Sequence, residues 1–101
     1  MEWYAYIFLF VGGAAVANFV PHFVHGISGE WFWTRFHKGG SRERSPPWIN
    51  VVWALTNLLL AYLLLWAGHF SFTDIPSVLI GFLGFATLAI RLSLELAEQP
   101  K

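Results

Sequence analysis

The feature that most constrains this chain is a set of three long apolar segments, at residues 3–24, 48–67 and 77–94. Each segment is close to the ~20 residues that a helix needs to cross a ~30 Å hydrocarbon layer. The run LLLAYLLLW at residues 58–66 has no polar face, so it does not suit a helix on the surface of a soluble bundle. Because backbone polar groups must be paired within lipid and three strands cannot close a barrel, the segments are predicted to be helices.

Composition agrees with a membrane protein. Hydrophobic residues make up 56% of the chain and charged residues only 12%, about half the charged share of an average soluble protein. Six Lys and Arg balance six Asp and Glu, which excludes a basic field for nucleic acid. The absence of cysteine excludes disulfides and thiolate metal sites. The predicted fold class is all-α, an integral membrane protein with three transmembrane helices in a single membrane domain over residues 1–101.

Local signals predict where the helices end. Ser45 followed by Pro46 and Pro47 is typical of a hydroxyl cap before the first turn of the second helix. Gly26 and Gly29 fit an end of the first helix just after His25. Aromatic residues near the segment ends are predicted to be interfacial anchors: Trp3, Tyr4, Tyr6, Trp48, Trp66, Phe70 and Phe72.

Basic residues predict the orientation in the membrane. The loop at residues 26–47 contains Arg35, Lys38, Arg42 and Arg44, whereas the N-terminal end and the turn at residues 68–76 contain no Lys or Arg. By the positive-inside rule, the loop is predicted to be cytoplasmic. The N-terminus is then outside and the C-terminus cytoplasmic, which in a bacterial inner membrane, the expected location, places the N-terminus in the periplasm.

Polar residues within or beside the segments fall in the half predicted to be cytoplasmic, and in each helix they share one face. They form the predicted polar cluster, which consists of Asn18, His22, His25, Asn50, Asn57, Arg91 and Glu95. Such groups are costly in lipid unless they face the bundle interior, a wet cavity or one another. The three polar faces are therefore predicted to converge and to form a binding site.

Each member of the predicted polar cluster also has a structural interpretation. His22 and His25 are spaced to share a metal ion, but no third strong ligand is adjacent in sequence, so no metal site is predicted. Two histidines on one helix cannot ligate both faces of a haem, which would need a dimer or a partner helix. Arg91 can snorkel to the interface or pair with Glu95. The asparagines can serve as hydrogen-bonding groups between helices.

Aromatic and basic residues alternate in the loop, GEWFWTRFHKGGSRER. This pattern is typical of a segment that lies in the headgroup layer and binds membrane lipid. The residues predicted to contact headgroups are Trp31, Trp33, Arg35, Lys38, Arg42 and Arg44. The sequence KGGSR lacks the spacing of a phosphate-binding loop, which argues against nucleotide binding.

Three functional hypotheses remain open. In the first, an oligomeric protein uses the predicted polar cluster to bind or pass a small polar solute, ion or proton. In the second, a non-catalytic accessory subunit packs on a larger membrane complex, and the predicted polar cluster serves only to hydrogen-bond helices together. Small residues at helix-contact spacing, such as Gly12, Gly13, Gly81 and Gly84, are predicted to be packing surfaces in each hypothesis. In the third, the protein is a lipid- or haem-binding membrane module. No catalytic motif is present, so no enzyme activity and no specific cofactor is predicted.

Overall fold

A computed structural model describes residues 2–33 and 44–97 of the chain. In chain order, the elements are helix α1 (Trp3–Ile27), strands β1 (Phe32–Trp33) and β2 (Arg44–Ser45), and helices α2 (Pro47–Ala67) and α3 (Ile75–Ala97). All three helices are long and apolar enough to cross a membrane. The predicted fold class, an all-α membrane protein with three transmembrane helices, is confirmed.

The helix ends differ from the predicted ends by up to three residues, because backbone turns rather than hydropathy determine where a helix ends. At the end of α1, the Gly29 N–H donates to the Gly26 carbonyl and the Glu30 N–H donates to the His25 carbonyl. This pattern needs a left-handed residue, and Gly29 supplies it with φ 75°. An equivalent turn ends α2, where His69 takes the left-handed position with φ 61°.

The predicted hydroxyl cap of α2 is wrong. Pro46 is the residue that precedes the helix, and no side chain caps it. Pro47 occupies the first turn, where its missing N–H needs no partner. Ser45 lies instead in β2, paired with Phe32 of β1, and it is fully buried. This short antiparallel pair of strands was not predicted from the sequence.

Helix α1 is the central element, since it packs against both α2 and α3. The predicted role of small residues as packing surfaces is confirmed. A Cβ atom at Gly13 would overlap the Gly81 carbonyl, and one at Gly84 would overlap the Phe10 carbonyl, so the backbones of α1 and α3 touch. Gly26 plays the same part between α1 and α2, where a Cβ would lie 2.6 Å from the Val51 side chain.

Large apolar side chains cover the outside of the bundle, and small or polar residues fill its interior. On α2 the buried residues are Asn50, Ala54, Asn57 and Ala61, whereas most of the leucines between them are exposed. This distribution suits a bundle in lipid. Apolar side chains gain nothing by moving from lipid into the protein interior, so close backbone contact holds the helices together.

Candidate functional site

Two pairs of polar side chains join α1 to α2. The Asn18 amide donates to Asn57 Oδ1 at 3.1 Å, and His22 Nδ1 lies 2.8 Å from Asn50 Oδ1. The Asn57 side-chain amide in turn donates to the Trp53 carbonyl, one helical turn earlier, at 2.9 Å. We name Asn18, His22, Asn50 and Asn57 the Asn–His clamp. Helical spacing builds it, because residues one or two turns apart lie on the same face of a helix.

Asn50 is the central residue of the Asn–His clamp. It is fully buried, and its Nδ2 lies 3.1 Å from the Phe32 carbonyl, 3.1 Å from the Ser45 carbonyl and 3.2 Å from the Pro46 carbonyl. An amide nitrogen has two hydrogens, so these three acceptors share two donors. Asn50 therefore ties both strands of the loop and the start of α2 to His22 on α1.

This hydrogen bonding also fixes the protonation pattern of the His22 ring. The three carbonyls around one end of the Asn50 amide can only accept, which assigns the nitrogen to that end and leaves Oδ1 facing His22. Because Oδ1 accepts, His22 Nδ1 carries the hydrogen, and the neutral ring has its lone pair on Nε2. Within residues 2–33 and 44–97, Nε2 has no hydrogen-bond partner.

Aromatic rings enclose the His22 imidazole. Phe32 and Trp53 meet it edge-on, with ring centroids 5.3 Å and 6.4 Å away, and only 6% of His22 is exposed. Gly26, one turn further along α1, allows α2 to approach closely enough for this contact. The His22 side chain is therefore held by one hydrogen bond and by aromatic packing.

An open concavity of about 580 Å³ lies at the end of α1, next to the Asn–His clamp. We name it the loop concavity; its lining residues are His25, Gly29, Glu30, Trp31, Phe32, Trp33 and Arg44. Its volume is within the range of small-molecule sites, although its open shape differs from the enclosed pockets typical of that class.

Charged groups inside the loop concavity are held in place by aromatic rings and by one another. His25 stacks on Phe32 with ring centroids 4.3 Å apart, and its Nδ1 donates to Glu30 Oε1 at 2.6 Å. On the opposite strand, the Arg44 guanidinium lies 4.8 Å from the centre of the Trp33 ring. The register of the strands explains this contact, since Trp33 and Arg44 are direct partners.

Arg91 and Glu95 lie outside the Asn–His clamp, so the predicted convergence of three polar faces holds for α1 and α2 but not for α3. Arg91 Nε donates to Glu95 Oε1 at 2.9 Å, and the two side chains are 70% and 53% exposed. Helix α3 packs on α1 through Gly81 and Gly84, which lie against Gly13 and Phe10. Arg91 lies two turns beyond Gly84 on nearly the same face, but the buried residues of α3 end at Gly84, so Arg91 lies past the buried part of the helix.

The remaining predicted site residues either line the loop concavity or lie outside the described residues. His25 lines the loop concavity rather than joining the Asn–His clamp. Trp31, Trp33 and Arg44 also line the loop concavity, whereas Arg35, Lys38 and Arg42 lie outside the described residues. No three His, Asp or Glu side chains come together as a metal site in the described part of the chain.

Two contributors to the site were not predicted from the sequence. Glu30 belongs to the loop concavity, and the only sequence signal for it was Gly29, whose left-handed turn brings Glu30 back to His25. Phe32 contributes a backbone carbonyl to Asn50 and a ring to both histidines. A carbonyl is present in every residue, so no sequence pattern indicates that contact.

No protein-family model matches the chain, and no curated protein or solved structure matches it significantly. Any functional inference therefore depends on the geometry of the Asn–His clamp and the loop concavity.

Proposed function

We propose that this chain is a non-enzymatic membrane protein that binds a lipid headgroup in the loop concavity, with the Asn–His clamp as the scaffold beneath it. The observation that carries the proposal is the set of contacts of Asn50. Its buried amide joins His22 on α1 to carbonyls of Phe32 and Ser45, one on each strand of the loop. The loop concavity is thus built on residues of two membrane helices.

The position of the loop concavity supports a ligand at the membrane surface. It begins where α1 ends, and the end of an apolar helix of spanning length lies near the headgroup layer. Trp31, at its edge, is 53% exposed, and tryptophan is enriched at this level of a membrane.

Lipid retention tests the proposal. The protein is extracted in mild detergent, and co-purified lipid is measured by mass spectrometry for wild type, Trp31→Ala and Trp66→Ala. Trp66 is also exposed but lies at the opposite end of α2, so it is a matched control. We expect Trp31→Ala to lose bound lipid and Trp66→Ala to retain it. Equal lipid content in all three proteins would contradict the proposal.

A second candidate function is that the Asn–His clamp binds or passes a proton or small polar solute. The observation in its favour is His22 Nε2, a buried acceptor without a hydrogen-bond partner in residues 2–33 and 44–97. The amide donors of the clamp, in contrast, are directed at protein acceptors, which favours the scaffold role.

Two substitutions at His22 separate these functions. The amide nitrogen of Asn can replace the Nδ1–H donor, and that of Gln reaches the position of Nε2. If the Asn–His clamp is a scaffold, His22→Asn should keep the hydrogen bond to Asn50 and retain lipid, whereas His22→Gln should weaken both the hydrogen bond and lipid retention. If His22→Asn instead abolishes proton or solute flux in liposomes that wild type supports, the second candidate is correct.

Association with a second copy or with a larger membrane complex is also part of the proposal. Gly12, Gly13, Gly26 and Gly84 are already used for contacts within the chain, so a partner would meet larger side chains such as the exposed leucines of α2. Native mass spectrometry in mild detergent measures the stoichiometry.

An absorption spectrum without a Soret band would reject haem as a ligand of His22.

A further inference from the structure

We infer that the Asn–His clamp binds one water molecule between Asn18 and His22, and that this water donates a hydrogen bond to each of the two side chains. Both residues lie on α1, and each is bonded to an asparagine of α2. His22 and Asn18 do not line the loop concavity, so neither headgroup binding nor the bound water requires the other.

The Trp53 carbonyl fixes the direction of the first pair of hydrogen bonds. It can only accept, so the Asn57 amide directs its nitrogen at Trp53 and its Oδ1 at Asn18. Asn18 therefore directs its own nitrogen at Asn57, because a reversed amide would bring two oxygens together. The Asn18 Oδ1 is left as an acceptor, and no donor reaches this atom within residues 2–33 and 44–97.

The hydrogen bond between the other two residues of the clamp also leaves an acceptor on α1. Asn50 Oδ1 accepts from His22 Nδ1, so His22 Nε2 has the lone pair of the neutral ring. His22 is 6% exposed, and in the described part of the chain nothing donates to Nε2. Two acceptors cannot bond to each other, so Asn18 Oδ1 and His22 Nε2 both need a donor from elsewhere.

The two acceptors lie within reach of one small molecule. Asn18 and His22 are four residues apart on one face of α1, which separates them by about 6 Å along the helix axis. Side chains of a helix lean towards its N-terminus, so the His22 ring extends back towards Asn18. A water molecule has two hydrogens, one for each acceptor.

Ala54 provides room for the water. The partners on α2, Asn50 and Asn57, are about 10 Å apart along the helix axis. Ala54 lies between them on the same face; it is fully buried, and its side chain is a single methyl group. The hydrogen bonds to Asn50 and Asn57 therefore spread apart towards α2, and a molecule as small as water fits between them.

The proline of α1 adds a third acceptor at this level. Pro21 has no N–H, so the Ala17 carbonyl lacks the donor that it would have in an ordinary helical turn. Ala17 is buried as well, with 4% of its surface exposed. In membrane helices, ordered water satisfies such carbonyls, and a buried water typically makes about three hydrogen bonds. The site thus offers acceptors to a ligand that donates hydrogen bonds.

Charge favours water over a cation as this ligand. The three acceptors are an amide oxygen, a neutral imidazole nitrogen and a backbone carbonyl, none of which has a negative charge. A cation without a negative partner is costly to bury, whereas a water molecule is not. Asn18 lies about 14 Å from the end of α1 along the helix axis, which is beyond the reach of water in the headgroup layer.

Solid-state NMR in lipid bilayers tests the inference. The full chain carries isotope-labelled histidine, and magnetisation transfer is measured from water protons to the carbon-bound ring protons of His22. The spectrum of His22→Asn identifies the His22 signals by their loss. We expect a cross-peak between water and the His22 ring in wild type, and its absence would overturn the inference.

Two valine substitutions on α2 test where the water is bound. Ala54→Val fills the space between Asn50 and Asn57 and should abolish the cross-peak. Ala61→Val makes the same change at a residue that is 2% exposed, two turns further along the same face, and should retain it. A cross-peak that survives in Ala54→Val, with helices intact by circular dichroism, would overturn this position for the water. The wild-type spectrum decides for or against bound water whether or not Ala54→Val folds.

Ammonium distinguishes water from a cation that donates similar hydrogen bonds. Isotope-labelled ammonium chloride is added to wild type in the same bilayers, and we expect the cross-peak between water and His22 to be unchanged. Its loss, together with a new cross-peak from ammonium to the His22 ring, would overturn the assignment of water and identify a cation site.

Discussion

At the scale of single residues, the contact between α1 and α2 includes hydrogen bonds between buried amides and an imidazole. The four residues of the Asn–His clamp connect α1, α2 and both strands of the loop. In a bilayer, a hydrogen bond between helices contributes about 0.6–2 kcal/mol. Loss of a residue with several hydrogen bonds should therefore destabilise the fold more than loss of a residue with one, and Asn50 has the most of the four residues of the Asn–His clamp.

The first prediction compares Asn50→Ala with Asn57→Ala. Asn50→Ala removes the partner of His22 and the amide donor to the Phe32 and Ser45 carbonyls, so the free energy of unfolding should fall by about 2–4 kcal/mol. Asn57→Ala removes one bond between helices and should cost about 1 kcal/mol. Titration with SDS, followed by circular dichroism, measures both. An equal or larger effect at Asn57 would refute the central role of Asn50.

At the scale of helices, close backbone contact decides how α3 sits on α1. Gly13 and Gly84 each lie where a Cβ atom would overlap a carbonyl of the other helix. Gly81 is different: it too is buried, but a Cβ there would be 3.8 Å from its nearest neighbour, Phe70, an ordinary contact. Two glycines one turn apart on α3 therefore have unequal roles.

The second prediction uses that difference. Gly84→Ala should push α1 and α3 apart and lower the free energy of unfolding by about 2 kcal/mol or more, because a backbone carbonyl cannot move aside. Gly81→Ala should be tolerated or stabilise the helix by up to about 1 kcal/mol through higher helix propensity. The same SDS titration compares them. Similar losses at the two positions would show that the contact at Gly84 is not the tight one.

Sequence patterns predicted the three helices and the meeting of the polar faces of α1 and α2, because hydropathy and helical spacing can be read from each segment alone. Those patterns show that Arg91 and Glu95 share a face of α3, but they do not show how much of α3 is buried in the bundle. The buried residues of α3 end at Gly84, which depends on how the helices pack and cannot be read from one segment. The contact of Asn50 with the Phe32 carbonyl was equally hidden, since it depends on the path of the loop.

At the scale of the whole molecule, the loop concavity lies at one end of the bundle, where α1 ends and α2 begins. The loop that joins α1 to α2 carries four basic residues and the turn between α2 and α3 carries none, so the loop concavity is predicted to face the cytoplasm. Under the proposed function, the bound headgroup would then belong to the inner leaflet. This orientation determines which lipids the site can meet.

The third prediction tests orientation with single cysteines, which the chain permits because it has none of its own. Ser28 follows α1 at the loop end and Thr73 lies in the turn before α3, and both are exposed. In intact bacterial cells, a membrane-impermeant maleimide should label Thr73→Cys, while Ser28→Cys should react only after permeabilisation, when the two should label equally. The opposite pattern would place the loop concavity outside the cell, and a lipid bound as proposed would then come from the outer leaflet.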